Sequence, residues 1–109
     1  MVPVKRDAKK DEIILAVARE LGVTYEDIVC SNREAWRVLT RYTIAYILRD
    51  KYHWPWDDVK AAIGKERTTA YYAVDVARMM KERATETEKD LMQKVEYAID
   101  KHFTFLSTN

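Results

Sequence analysis

Trp56-Asp57-Asp58-Val59-Lys60-Ala61-Ala62-Ile63-Gly64-Lys65-Glu66-Arg67-Thr68-Thr69-Ala70-Tyr71-Tyr72-Ala73 decides the fold of this 109-residue chain. Pro55 just before it suits a helix start, and Asp57 and Asp58 suit the positive end of a helix dipole, so a short helix runs from here to Ile63. Gly64-Lys65-Glu66 reads as a tight turn. Over residues 68–83, Ala70, Ala73, Val74, Ala77 and Met80 recur at helical spacing and form the inward side of a longer helix. At about 100° per residue, Thr68, Tyr72, Asp75 and Met79 fall near the centre of the opposite face, with Tyr71 and Arg78 beside them. A short helix joined by a three-residue, glycine-containing turn to a longer one is the sequence form of a helix-turn-helix, whose second helix enters the major groove of DNA.

Outward from this stretch, Pro55 pushes Trp54 out of the helical region and ends what precedes it. Residues 32 to about 52 contain neither Gly nor Pro, and Trp36, Leu39, Ile44, Ile47 and Leu48 mark one long helix with Arg33, Arg37 and Arg41 spaced four apart on one face. Earlier still, Thr24 and Asp27 stand in a capping-box-like arrangement that opens a short helix carrying Ile28 and Val29 inward. Residues 11–21 place Ile13, Ile14, Ala16, Val17, Ala18 and Leu21 on an apolar stripe, and Gly22 follows where a left-handed C-terminal cap belongs. At the other end, Thr85 and Glu88 cap a last helix through Leu91, Val95, Ala98 and Ile99 to about residue 102. The expectation is an all-α fold: one compact domain of about six helices with a helix-turn-helix, its core spanning about residues 10–103.

Composition agrees. Two Gly and two Pro, against roughly eight and five from average usage, argue against turn-rich sandwiches and barrels. The one cysteine, Cys30, excludes an internal disulfide and reads as a small buried residue or an inert surface thiol. His53 and His102 are too few for a structural zinc set and read as local hydrogen-bonding residues, so no metal is expected. Nucleophile, base and orienting group recur at no usable spacing; no catalytic residue, enzymatic activity or cofactor is expected. The charged N-terminus lacks the apolar stretch of a signal peptide, and no window approaches 18 apolar residues, which predicts a soluble cytoplasmic protein with no membrane partner.

The net charge of +1 conceals a bipolar chain. Residues 33–53 hold five basic and two acidic side chains, and residues 60–83 hold six and three, so each segment carries +3 while the remainder is acidic. Positive charge thus gathers on the long helix and on the second helix of the expected helix-turn-helix, the electrostatic footprint of a nucleic-acid partner.

Gly64-Lys65-Glu66-Arg67-Thr68-Thr69-Ala70-Tyr71-Tyr72-Ala73 resembles the signature of the C-terminal DNA-binding domain, domain IV, of the bacterial replication initiator DnaA. That signature reads Gly-Arg-Asp-His-Thr-Thr-Val-x-His-Ala; Thr68, Thr69 and Ala73 match, Lys65 and Glu66 stand for Arg-Asp, and Arg67 and Tyr72 stand for the two histidines. Leu21-Gly22-Val23-Thr24-Tyr25-Glu26-Asp27-Ile28, Ser31 with Arg33, and the helix from Val59 to Ile63 resemble preceding elements of the family in the same order. The resemblance implies a duplex DNA partner, with Lys65 on phosphate and Thr68 and Thr69 on thymine methyl groups or phosphate. Arg67 would occupy a base-reading position, where its fork suits the O6 and N7 edge of guanine. No Gly-x-x-x-x-Gly-Lys-[Ser/Thr] occurs, so the implied function is DNA binding without the initiator's ATPase, in replication control or transcriptional regulation at the nucleoid.

The expected DNA contacts are Arg33, Arg37, Arg41, Lys65, Arg67, Thr68, Thr69, Tyr71 and Tyr72. Each has a plainer reading. Thr68 caps a helix, the tyrosines cover an apolar edge, and the three arginines lie on a solvated face pairing with Glu34 and neighbouring acids. Asp75 pairs with Arg78 or Arg41, and Trp54 and Trp56 bury their rings at a helix corner. The competing function is a protein-interaction module, with Tyr71, Tyr72 and Met79 as the stripe that meets a protein partner.

Overall fold

The computed structural model describes residues 6–29, 34–63 and 67–107, with side chains at 11–29, 34–63 and 69–104. Helix α1 (Arg6–Leu21) ends at Gly22, which takes φ +73°. The Gly22 N–H donates to the Arg19 carbonyl at 3.3 Å and the Val23 N–H to the Ala18 carbonyl at 2.9 Å, the paired bonds of a Schellman motif. No atom would meet a Cβ at Gly22, so glycine is needed there for its backbone conformation alone. Helix α2 (Tyr25–Val29) opens with the expected reciprocal cap. The Thr24 N–H donates to Asp27 Oδ2 at 3.0 Å and the Asp27 N–H to Thr24 Oγ1 at 3.1 Å.

Helix α3 (Ala35–Tyr46) has Glu34 as its N-cap, so it begins later than the expected residue 32, and it does not continue as one α-helix to residue 52. Over Ile47–Lys51 it widens into a π turn, in which the Tyr52 N–H reaches back five residues to the Ile47 carbonyl at 3.2 Å. The Trp54 N–H reaches six residues back to the Leu48 carbonyl at 3.0 Å, and His53 between them takes a left-handed φ of +59°. That conformation costs a non-glycine residue about 1 kcal/mol, and burial of the Trp54 ring, 5% exposed, offsets it. Arg49 seals the corner: its Nη1 donates to the Trp54 carbonyl at 2.9 Å.

Helix α4 (Trp56–Ile63) begins directly after Pro55, whose carbonyl accepts from the Asp58 and Val59 N–H groups, both at 3.0 Å. Helix α5 (Arg67–Arg83) follows three residues later, and α6 (Glu86–Ser107) runs past the expected end at 102. Thr85 and Glu88 cap α6 reciprocally, at 2.8 and 3.2 Å. The fold is therefore all-α, with six α-helices and no strand among the described residues. Its radius of gyration is 12.8 Å, near the ~13 Å of a single packed domain this long.

A main core joins the helices, and Leu39, Ala77 and Met92 form a smaller cluster between α3, α5 and α6. Ile13, Ile14 and Val17 of α1, Ile28 of α2, Ile44 and Leu48 of the α3 segment, Val59 and Ile63 of α4, and Val95 and Ile99 of α6 are fully or almost fully buried within the main core. Ala70, Ala73 and Ala77 of α5 are completely buried, and α5 packs on both α3 and α4. Their short side chains let the helices approach closely, which leaves the far side of α5 standing clear of the core. Among the described residues no helix is long and apolar enough to cross a membrane.

Candidate nucleic-acid interface

The outward side of α5 carries the side chains that helical spacing assigned to it. Tyr72 is 60%, Met79 56% and Tyr71 41% exposed, while Thr69 is half-buried nearer the packed side. The two tyrosines are anchored differently. Tyr71 meets Trp56 of α4 edge to face, ring centroids 4.3 Å apart, and Trp56 in turn lies under the Arg49 guanidinium at 4.5 Å. Arg49, Trp56 and Tyr71 thus form a stack that ties the α3 corner, the start of α4 and the first turns of α5 into one surface. Tyr72 touches the Tyr42 ring on α3 edge-on at 6.0 Å and keeps most of its own surface in solvent.

The arginines of α3 behave otherwise. Arg41 was expected as a phosphate contact, and the fold corrects this. The residue is 4% exposed, and its Nη1 donates to the Ile28 carbonyl at the end of α2 at 2.9 Å. Helix α2 is five residues long and leaves its last carbonyls without helical partners; Arg41 satisfies one of them from inside the core, out of reach of a phosphate. Arg37 is turned to the same short helix. Its Nη1 lies 3.2 Å from Asp27 Oδ1 and 3.3 Å from the Asp27 carbonyl, its Nε 2.9 Å from Glu34 Oε1, and its guanidinium 5.0 Å from the Trp36 ring. The plainer reading, an arginine paired with Glu34 and a neighbouring acid, is what the geometry shows for Arg37. The carboxyl of Asp27 is held below the usual carboxylate range, first by the Thr24 N–H and hydroxyl and then by Arg37.

Arg33 and Lys65 lie outside the described residues, as does Cys30. Arg67 and Thr68 form the first turn of α5, and their side chains lie outside the described set. Asp75 pairs with Arg78, Nη1 to Oδ1 at 3.1 Å, as one of its two expected partners. Sequence reading missed the second acid on Arg78. Asp50 of the π turn accepts from Arg78 Nε at 2.7 Å and from Nη2 at 2.6 Å, and this hydrogen bonding holds the Asp50 carboxyl below its ordinary value. The Arg49 stack was missed as well. Both contacts join residues whose partners are set by the corner at 47–55, which no helical period announces. Trp54 is buried as expected, whereas Trp56 is half-buried and part of the surface stack.

A second polar cluster, between the α3 corner and α6, serves packing. Lys51 Nζ lies 2.9 Å from Glu96 Oε2 and 2.5 Å from Asp100 Oδ2, and the Tyr52 hydroxyl donates to Asp100 Oδ1 at 2.5 Å. Burial and that bond push the Tyr52 phenol well above its ordinary value, so it stays a neutral donor that ties the α3 corner to α6. No protein-family model matches this chain, and no curated protein or solved structure matches it.

Proposed function

We propose that this chain is a sequence-specific double-stranded DNA-binding module that reads DNA with the outward face of α5, presented through a helix-turn-helix with α4. The observation that carries this reading is the exposure of Tyr71 and Tyr72 on the outward side of α5, within residues 60–83, a segment whose net charge is +3. The eight-residue length of α4, its packing on α5 and the three residues between them support it. In this reading Lys65 and Arg33 hold phosphate, Arg67 reads a base edge, and Thr68, Thr69, Tyr71 and Tyr72 fill the groove around it. Arg37 and Arg41 take no part; they build the platform beneath. The process served is replication control or transcriptional regulation, as the resemblance to the DnaA DNA-binding domain implies.

The test is selection of bound sequences from a randomised duplex pool, followed by a salt titration of the enriched duplex. An enriched motif lost in Arg67→Ala, with affinity falling by about 0.9 log units per log unit of salt for each phosphate contact, is the expected result. Recovery of no motif, or affinity indifferent to salt, overturns it. The competing reading is a protein-interaction surface, favoured by one observation: Met79 is exposed beside an arginine already neutralised by two acids, an apolar and nearly uncharged end of the face. Binding that resists salt and fails in Met79→Lys would favour it.

A further inference from the structure

Between α3, α5 and α6 the packing is left open. A cavity of about 310 Å³ lies there, lined by the buried Thr43, Ile47 and Met92 and by the polar side chains of Lys81, Lys89 and Gln93. That volume stands at the small end of the range of roughly 300–1,000 Å³ found for ligand pockets. A second cavity of about 230 Å³ shares Tyr46, Ile47, Lys81 and Glu96 with the first and reaches Asp50 and Lys51 of the π turn. The two are lobes of one cleft, and the fold accounts for its position. Ile47 belongs to the main core and Met92 to the smaller cluster, so the cleft marks the line along which the two part. The π turn begins at Ile47 and brings Asp50 and Lys51 to the second lobe, and turns of this kind recur at functional sites. Lys81 lies about 200° around α5 from the exposed Met79, so the cleft is separate from the outward face of that helix.

Charge in the cleft is unequally matched. Both of its carboxylates are answered: Asp50 takes two bonds from Arg78, and Glu96 lies 2.9 Å from Lys51 Nζ. Two of its cations are not. Lys81 Nζ donates to the Tyr46 hydroxyl at 3.3 Å, Lys89 is half-buried, and among the described residues neither forms an ion pair. Because the Tyr46 oxygen accepts from Lys81, its own O–H is left to donate. An ammonium drawn part-way out of water without a counter-charge costs free energy, which an anion seated in the cleft recovers. We infer that the cleft is a binding site for a small carboxylate with a compact apolar body. The carboxylate accepts from Lys81, Lys89 and the Tyr46 hydroxyl, and the apolar body covers Ile47 and Met92. Inorganic phosphate fits less well, since it leaves those two side chains uncovered and brings a second negative charge toward Glu96 and Asp50. This inference stands independently of the DNA-binding reading.

Backbone-amide and methyl NMR of the full chain, titrated separately with benzoate, hexanoate, benzamide and inorganic phosphate, tests the site. Benzoate or hexanoate is expected to give saturable shifts gathered at Thr43, Ile47, Met92 and Gln93. Benzamide, which keeps the shape of benzoate and lacks its charge, should bind about tenfold more weakly or not at all. Lys81→Gln and Lys89→Gln, made separately, should each weaken the carboxylate about tenfold while the spectrum away from the cleft stays that of the wild type. Shifts that do not saturate with either carboxylate, or that scatter over the surface, overturn the site. So does benzamide binding as tightly as benzoate, or phosphate saturating the same residues as tightly as the carboxylates, which would leave a plain anion contact with no use for the apolar side. Wild-type affinity in both lysine variants overturns it as well. If Lys81→Gln disturbs the packing of Tyr46, Lys89→Gln still decides, because among the described residues its side chain bonds to nothing.

Discussion

Residues 33–53 and 60–83 carry the same net charge of +3, and the fold spends them in opposite ways. On α3, Arg41 is buried against the Ile28 carbonyl, and Arg37 is tied to Asp27 and Glu34. On α5 the packed side consists of alanines and a valine, so the opposite side stands in solvent with Tyr71, Tyr72 and Met79 uncovered. The difference teaches that positive charge counted along a sequence is not charge available to a partner. An arginine is free for phosphate only where the fold offers it no acceptor closer to home. The short α2, with more bare carbonyls than a five-residue helix can satisfy, consumes the arginines that would otherwise face a duplex.

The largest effect that could break this comparison belongs to Arg41. Arg41→Met keeps most of the volume but leaves the Ile28 carbonyl buried without its charged donor, so a loss of about 3 kcal/mol in unfolding free energy is expected by denaturant titration. A loss near zero would mean that the guanidinium reaches solvent after all. Next is Tyr72→Ala, the mirror case. Stability should change by no more than about 1 kcal/mol, the worth of its edge contact with Tyr42, while duplex affinity falls about tenfold. If stability suffers more than binding, the tyrosine is a cover for the core and not a reader.

Arg37→Ala sharpens the contrast at an intermediate level. Its half-exposed pairs are worth at most about 1 kcal/mol, and the salt dependence of DNA binding should be that of the wild type, because the side chain faces α2. A salt slope shallower by about 0.9 would return Arg37 to the phosphate contacts. The smallest effect is in acid. Asp27 and Asp50 both titrate below their ordinary values in the folded chain, so their stabilising contribution is complete above the unfolded carboxylate value of about 3.9 and is lost as pH falls through the lower folded values. Asp27→Asn and Asp50→Asn should each flatten the acid limb of a stability profile between about pH 5 and pH 2; an unchanged limb would show that these carboxylates are no better held than in the unfolded chain.

Local signals were read correctly wherever both partners lie within one turn. The Thr24–Asp27 and Thr85–Glu88 caps, the left-handed Gly22 and the inward alanines of α5 all depend on spacings of four residues or fewer, which the sequence displays directly. The corner at 47–55 was only half legible. Pro55 announces a break, but nothing nearby specifies that the preceding helix widens, that His53 turns left-handed or that Arg49 reaches over to Trp54 and Trp56.

By itself the sequence determined the helices, their caps and the two sides of α5, because helical periodicity and capping chemistry are local physics that any fold must respect. Which cations remain free was decided only by the tertiary structure. Arg41 meets Ile28 across 13 positions and Arg78 meets Asp50 across 28, and a guanidinium in either place takes the nearest fixed acceptor, since a buried or forked partner costs less desolvation than leaving the charge unmatched. Such a choice depends on the distance between helices in space, a quantity that no spacing along the chain contains.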